Sequence, residues 1–327
     1  MKVVVIGLGS MGKRRIRLVQ KYDADIEIIG VDSLVERRKD SEELYSIKTY
    51  CDLADTLNNE DIDCAFVCTS PISHSSIIHK CLCNNWHVFT ELNLIPDGYD
   101  ENIFAAKEKK LVLFLSSTFL YREEICYIAN ELKNVSCVIN YVYHIGQYLP
   151  DWHPWEDYSN YFVSDKRTNG CREIMALELP WITSLFDSVK NISVVGKKIS
   201  NLNIDYPDSY MIILEHKNGN NGVLVIDVVS RKAVRNFELY GENIYISWDG
   251  SPTGLYKYDF VNKVNMNIKL YSKIDKQENY APFVIENAYM NEIIAFFDKI
   301  QDPKNEIIYD FEKDKKILEL IDRIEKL

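Results

Sequence analysis

The chain of 327 residues is 46% apolar and 27% charged with few glycines and prolines, the composition of a folded globular protein with core enough for two ordinary domains. A formal net charge of −11 argues against a basic face for nucleic acid, and no run reaches the roughly 18–20 apolar residues that cross a bilayer. The eight cysteines show no C-x-x-C pair and no zinc spacing with histidine, so reduced thiols of a cytoplasmic protein are expected and a structural metal is not.

In chain order, residues 2–6 form a continuous apolar strand that runs straight into a glycine motif, which reads as a buried strand and not as a signal peptide. A helix is expected over 11–21, a strand over 25–31, a helix over 35–44, a short strand at 48–50 and a helix from 52. Strands at 63–69, 87–91 and 112–118 alternate with helices at 73–84 and 99–109. Apolar runs that do not alternate belong to strands covered on both faces, so this part reads as a doubly wound parallel sheet of the Rossmann type. Its boundary is placed at residue 118, without a Gly/Pro-rich linker.

The pattern then changes. Helices are expected at 121–132 and 171–186 and an aromatic-rich strand at 135–145, whereas 151–169 (DWHPWEDYSNYF at its start) has no clear period. Short strands follow at 192–195, 211–216, 222–229, 237–240, 243–248, 255–259 and 266–269. Lys217-Asn-Gly-Asn-Asn-Gly222 is a hairpin turn by composition. Helices at 284–300 and 311–326 close the chain and are free to pack back on the first domain. Residues 119–327 therefore read as an α+β substrate and oligomerisation domain with an open, mostly antiparallel sheet. Such a sheet makes a homodimer or homotetramer the expected assembly.

Gly7-Leu-Gly9-Ser10-Met11-Gly12 follows a strand and opens a helix. The first glycine permits the tight turn, the second lets backbone approach a pyrophosphate, and the third lets helix and strand pack closely. Asp32, 20 residues after Gly12 at the end of the second strand, suits the hydroxyls of an adenosine ribose and favours NAD over NADP. Ser33, Arg37 and Arg38 lie near enough in sequence to offset that preference, so NADP stays open. Thr69-Ser70-Pro71, past the fourth strand, falls at the carboxyl edge where a nicotinamide arm passes. His74 is either a cofactor contact or a neighbour of the helix cap.

VVVIGLGSMGKRR, CTSPISH and HVFTELNL, with YLPDWHPWEDY and the closing helices, carry a resemblance over nearly the whole chain. It is to the glucose–fructose oxidoreductase / inositol dehydrogenase / MocA family. The resemblance implies a Rossmann domain followed by an α+β domain, hydride transfer with a nicotinamide cofactor, and a sugar, nucleotide sugar or cyclitol as substrate. Most members carry Glu-Lys-Pro after the fifth strand, where this chain has Glu91-Leu92-Asn93. They also carry Asp-x-x-x-His on a helix, where this chain has Ile174 and either Glu178 or, one residue out of register, Leu177.

A hydride transfer still needs a group to take the hydroxyl proton. By the resemblance Glu178 is the first candidate and Glu173 the second, about 140° round the helix from it. Glu91 is expected near the cofactor, and Asn93 near the substrate or the nicotinamide amide. Lys166, Arg167 and Arg172 form either an anion-binding turn or a solvated one. His153, with Trp152, Trp155 and Tyr158, forms either a wall for a sugar ring or the packing of a long loop. Two other readings stay open: a cofactor- or metabolite-binding protein that has lost the chemistry, and an enzyme that recycles a tightly bound cofactor.

Overall fold

The structure, a computed structural model, describes residues 1–153, 156–277 and 283–327, in two compact units. The first comprises Met1–Ser117 with Tyr289–Lys315; the second comprises Thr118–Ala288 with Lys316–Leu327.

The first unit is built on a parallel sheet of β1 (Lys2–Ile6), β2 (Glu27–Val31), β3 (Lys48–Tyr50), β4 (Cys64–Val67), β5 (His87–Thr90) and β6 (Leu113–Leu115), in the order β3-β2-β1-β4-β5-β6. Helices α1 (Ser10–Tyr22), α2 (Val35–Tyr45), α3 (Leu53–Asn59), α4 (Pro71–Cys83) and α5 (Tyr99–Lys109) connect the strands. β4 is buried along its whole length, as its unbroken apolar run requires. Register places Phe66, Phe89 and Phe114 side by side on β4, β5 and β6, with centroid spacings of 4.8 and 5.1 Å. Phe296 of α8 (Glu286–Gln301) meets all three edge-on, a mutually favourable ring geometry.

The second unit holds α6 (Glu123–Leu132), β7 (Asn140–Gly146) and α7 (Gly170–Phe186), then the strands β8 (Val189–Lys197), β9 (Ser209–His216), β10 (Asn221–Asp227), β11 (Val234–Gly241), β12 (Ile244–Trp248), β13 (Leu255–Asp259) and β14 (Val264–Asn267). They form one sheet in the order β14-β13-β12-β11-β7-β10-β9-β8, antiparallel except where β7 meets β10. α7 covers one face, where Trp181 sits edge-on to Tyr143 and Phe237, and Phe186 stacks on Tyr141 at 4.3 Å. Alternation on β9 buries Tyr210, Ile212 and Leu214 and leaves Met211, Ile213 and Glu215 outside. Part of the closing helix α9 (Phe311–Lys326) belongs to this unit.

Three of the differences from the sequence reading arise because backbone groups find other partners. The strand expected at 112–118 stops at Leu115, since Ser117 donates its N–H to the Glu292 carboxylate and Thr118–Tyr121 close a 3-10 turn. The strand expected from 135 begins at Asn140, because the Val135 N–H closes a turn on Leu132 and the Ile139 N–H goes to the Asn220 side chain. The aperiodic stretch contains single 3-10 turns at Leu149–Asp151, Tyr158–Asn160, Phe162–Ser164 and Lys166–Thr168; the side chains of Asp157 and Asp165 cap two of them.

Candidate functional site

Strand order reverses between β1 and β4, and the loops that follow both strands meet at the carboxyl edge of the sheet, where doubly wound folds take ligands. Gly7 leaves β1 at φ +92° while its N–H donates to Val31 O at 2.8 Å. A Cβ there would lie 2.7 Å from Cys68 O, and one on Gly12 would lie 1.9 Å from Gly7 O. Gly9 is different: a Cβ would meet only the Arg37 guanidinium, at 3.7 Å, so a ligand can approach the backbone. Ser10 and Met11 open α1, and no acidic residue in its first turn neutralises the positive end of the helix. Gly12→Ala is expected to force the turn apart, lowering NAD affinity at least tenfold in calorimetry and stability by about 1–3 kcal/mol in urea unfolding.

Asp32 follows β2 and is buried. Its Oδ2 accepts the Leu8 N–H at 2.8 Å and its Oδ1 the Leu34 N–H at 2.9 Å, so the carboxylate is fixed against the glycine turn. Each oxygen keeps capacity for another donor, such as a ribose hydroxyl. Arg37 Nη1 stands 3.7 Å from Oδ2, and Arg38 donates to the backbone carbonyls of Asp32 and Ser33.

Thr69, Ser70 and Pro71 follow β4, with Pro71 as the first residue of α4. His74 is buried, with Nε2 2.8 Å from Thr69 O and Nδ1 2.6 Å from the Asn93 carboxamide. Burial lowers the His74 pKa, so the ring carries one proton. Both ring nitrogens face acceptor oxygens, Thr69 O and Asn93 Oδ1, so a singly protonated ring donates to one of them. Asn93 Nδ2, which is buried without a partner, becomes the donor to Nδ1 when the carboxamide is turned by 180°. Asn93 thus ties the segment after β5 to the Thr69–Pro71 turn. Glu91 is held by Arg15, at 2.6 Å from Nε and 3.1 Å from Nη2; Arg15 also reaches Glu292 at 2.9 Å and lies over the Phe89 ring. Glu91 is therefore part of a buried ion cluster that joins the glycine helix to β5.

In the second unit α7 separates the two candidate acids. Glu178 is fully buried on the sheet side: its Oε2 accepts from Tyr143 Oη at 2.8 Å and Trp181 Nε1 at 2.7 Å, and its Oε1 pairs with Arg235. Glu173 is half-buried, its Oε2 is sealed from solvent without a hydrogen-bond partner, and burial pushes its carboxyl up to about 7. One carboxylate is paired with a fixed cation, whereas the other is raised by burial and has no cation paired with it among the described residues. Arg172 is bound to Asp322 at 2.7 Å and Glu325 at 2.5 Å, which occupies its guanidinium, while Lys166 is exposed. The His153 ring lies 4.6 Å from that of Tyr161, tilted by 34°; the sequence alone does not single out Tyr161. Trp152 donates to Gln147 O, Tyr158 Oη accepts the Asn203 N–H, and Trp155 lies outside the described residues.

These features define a class: a dinucleotide-binding Rossmann domain carried in one chain with an α+β unit. Residues 1–116 match the model of the GFO_IDH_MocA family, described as an oxidoreductase family with an NAD-binding Rossmann fold. The matched model describes an NAD-binding fold, and solved structures of similar fold hold NAD+, NADH or NADP+. No curated protein matches the chain in sequence.

Among solved structures, the chain is similar to an oxidoreductase from Agrobacterium radiobacter in complex with NAD+, L-tartaric acid and magnesium (TM-score 0.80, 13% identity, 98% of this chain and 94% of that one). It is similar to a myo-inositol dehydrogenase from Corynebacterium glutamicum (TM-score 0.75, 14% identity, 98% and 94%). It is also similar to the UDP-N-acetylglucosamine 3-dehydrogenase GnnA from Acidithiobacillus ferrooxidans (TM-score 0.73, 16% identity, 100% and 97%). At these identities the likeness is one of fold.

Proposed function

We propose that the protein is an NAD-dependent oxidoreductase acting on a hydroxyl or ketone of a sugar, nucleotide sugar or cyclitol, with Glu173 as the proton acceptor and donor. The observation that carries this reading is the sealed, unpartnered Oε2 of Glu173 on a carboxyl held near neutrality. The glycine turn and the start of α1 fit a pyrophosphate, Asp32 fits the ribose, and bound NAD supplies the hydride acceptor or donor. In the oxidative direction the carbinol carbon gives up hydride, its O–H proton passes to the Glu173 carboxylate, and the C=O bond forms. Similar folds that act on myo-inositol and UDP-N-acetylglucosamine support the substrate class.

The second reading, a cofactor-binding protein without the chemistry, is favoured by Leu92 and Ile174 at positions where the family carries lysine and aspartate. Calorimetric titration with NAD and NADP, then NADH formation with a panel of sugars, UDP-sugars and cyclitols, separates the two. NAD is expected to bind more tightly than NADP, and at least one panel member to turn over. Binding without turnover across the panel favours the second reading.

We further place the protein in the cytoplasm, in keeping with its free cysteines, and infer a homodimer or homotetramer. The support is the outer face of the second sheet, where Val142, Val195, Met211, Ile213 and Val223 are exposed together on paired strands. Among the described residues no helix is long and apolar enough to cross a membrane.

A further inference from the structure

Tyr161 lies between two 3-10 turns, and the one it precedes, Phe162–Ser164, packs against α7. Its hydroxyl is buried and has no hydrogen-bond partner, as is true of Glu173 Oε2. The two groups feel one another, since the Glu173 charge adds to burial in raising the phenol's pKa. The backbone between them is pinned. Tyr206 Oη donates to Val163 O at 2.8 Å and accepts the Gly170 N–H at 3.4 Å, while Thr168 Oγ1 donates to Phe162 O at 2.5 Å. A donor and an acceptor are thus buried on neighbouring elements, complementary in chemistry, and not bonded to each other. Native interiors satisfy such groups, with ordered water or ligand where protein does not.

We propose that Tyr161 Oη and Glu173 Oε2 hold one oxygen between them, that of a hydroxyl or carbonyl group on the ligand, with water in its place when no ligand is bound. The proposal rests on the reading of Glu173 given above and adds a second residue to it. A ligand hydroxyl accepts from the phenol and donates to the carboxylate. After oxidation the carbonyl oxygen accepts from the phenol and from the carboxyl that has taken up the proton, so both charge states of the pair are used. Tyr161 remains a phenol throughout, because its shift is upward. An ammonium group at the same point has no lone pair for the phenol O–H, so the pair selects oxygen over amine.

The test is a crystal structure of the full chain without added ligand, at a resolution that shows ordered water, beside the same structure of Tyr161→Phe. One oxygen within hydrogen-bond distance of both atoms is expected in the parent and its loss in the variant. The melting temperature of the variant is expected to be unchanged or higher, because a hydroxyl that bonds to no protein group is removed. A direct Tyr161–Glu173 bond, a gap without an ordered oxygen, or a lower melting temperature for Tyr161→Phe overturns the proposal. The reading of Glu173 fails separately, if Glu173→Gln forms NADH at the parent rate; with the bridging oxygen present, that result leaves a hydroxyl site without the proton transfer.

Discussion

Glu173→Gln is expected to lower alcohol oxidation by about 10²–10⁴-fold while making the folded protein more stable above neutral pH. Both effects come from one property, a carboxyl raised by burial to about 7. A carboxyl whose folded pKa lies above its unfolded value contributes stability that is fully present below the unfolded value. That contribution is lost as pH rises through the folded one. At roughly 1.4 kcal/mol per unit, the raised carboxyl makes folding less favourable than in acid by about 1 kcal/mol at pH 5, where only the unfolded chain ionises, and by about 3 kcal/mol at pH 8. The glutamine variant carries no such loss. Urea midpoints for parent and variant are therefore expected to lie close together at pH 5 and to separate at pH 8, with the variant higher. Oxidation by the parent is expected to rise through about pH 7, where the carboxylate becomes able to take a proton, and the residual activity of the variant to lack that limb. Equal midpoints at both pH values would mean that the carboxyl is not held out of water as described.

The contrast between Glu173 and Glu178 shows how far the sequence could be read. Gly7, Gly9, Gly12 and Asp32 are legible because the physics is local: a turn at positive φ, a close helix–strand approach and a carboxylate fixed to the same turn by the Leu8 N–H. The alternation of Tyr210, Ile212 and Leu214 with Met211, Ile213 and Glu215 is legible for a similar reason, since a strand's period needs no knowledge of its partners. The roles of the acids depend on residues far along the chain. Nothing near Glu178 in sequence announces Tyr143 or Arg235, and nothing near Arg172 announces Asp322 and Glu325. For His74 the sequence allows two readings, and its partner Asn93, 19 residues on, is seen only in the fold. Tyr161 is not legible because a stretch of successive 3-10 turns has no period to read. The signal present was the pair of aspartates, Asp157 and Asp165, each capping a turn.

Arg235→Met is expected to destabilise the protein by about 3–5 kcal/mol, the loss that follows when one member of a buried ion pair is removed and the other stays charged. Arg235 packs its guanidinium over the Phe119 ring at 4.4 Å and donates to Tyr143 Oη at 3.0 Å as well as to Glu178. Without it, the Glu178 carboxylate keeps two neutral donors, Tyr143 and Trp181, inside an apolar layer. Glu178→Gln in the same background removes the stranded charge and is expected to recover much of the loss, because a glutamine oxygen still accepts from both donors. The pair therefore also decides which acid works on substrate. If Glu178 moved protons, Glu178→Gln alone would cost activity in protein that is still folded, and Arg235→Met would shift the pH profile. With Glu178 as the core anchor and Glu173 as the working group, the double variant's activity per folded molecule is expected to stay within a few-fold of the parent. Its pH limb near 7 is expected to remain, and that limb disappears only with Glu173.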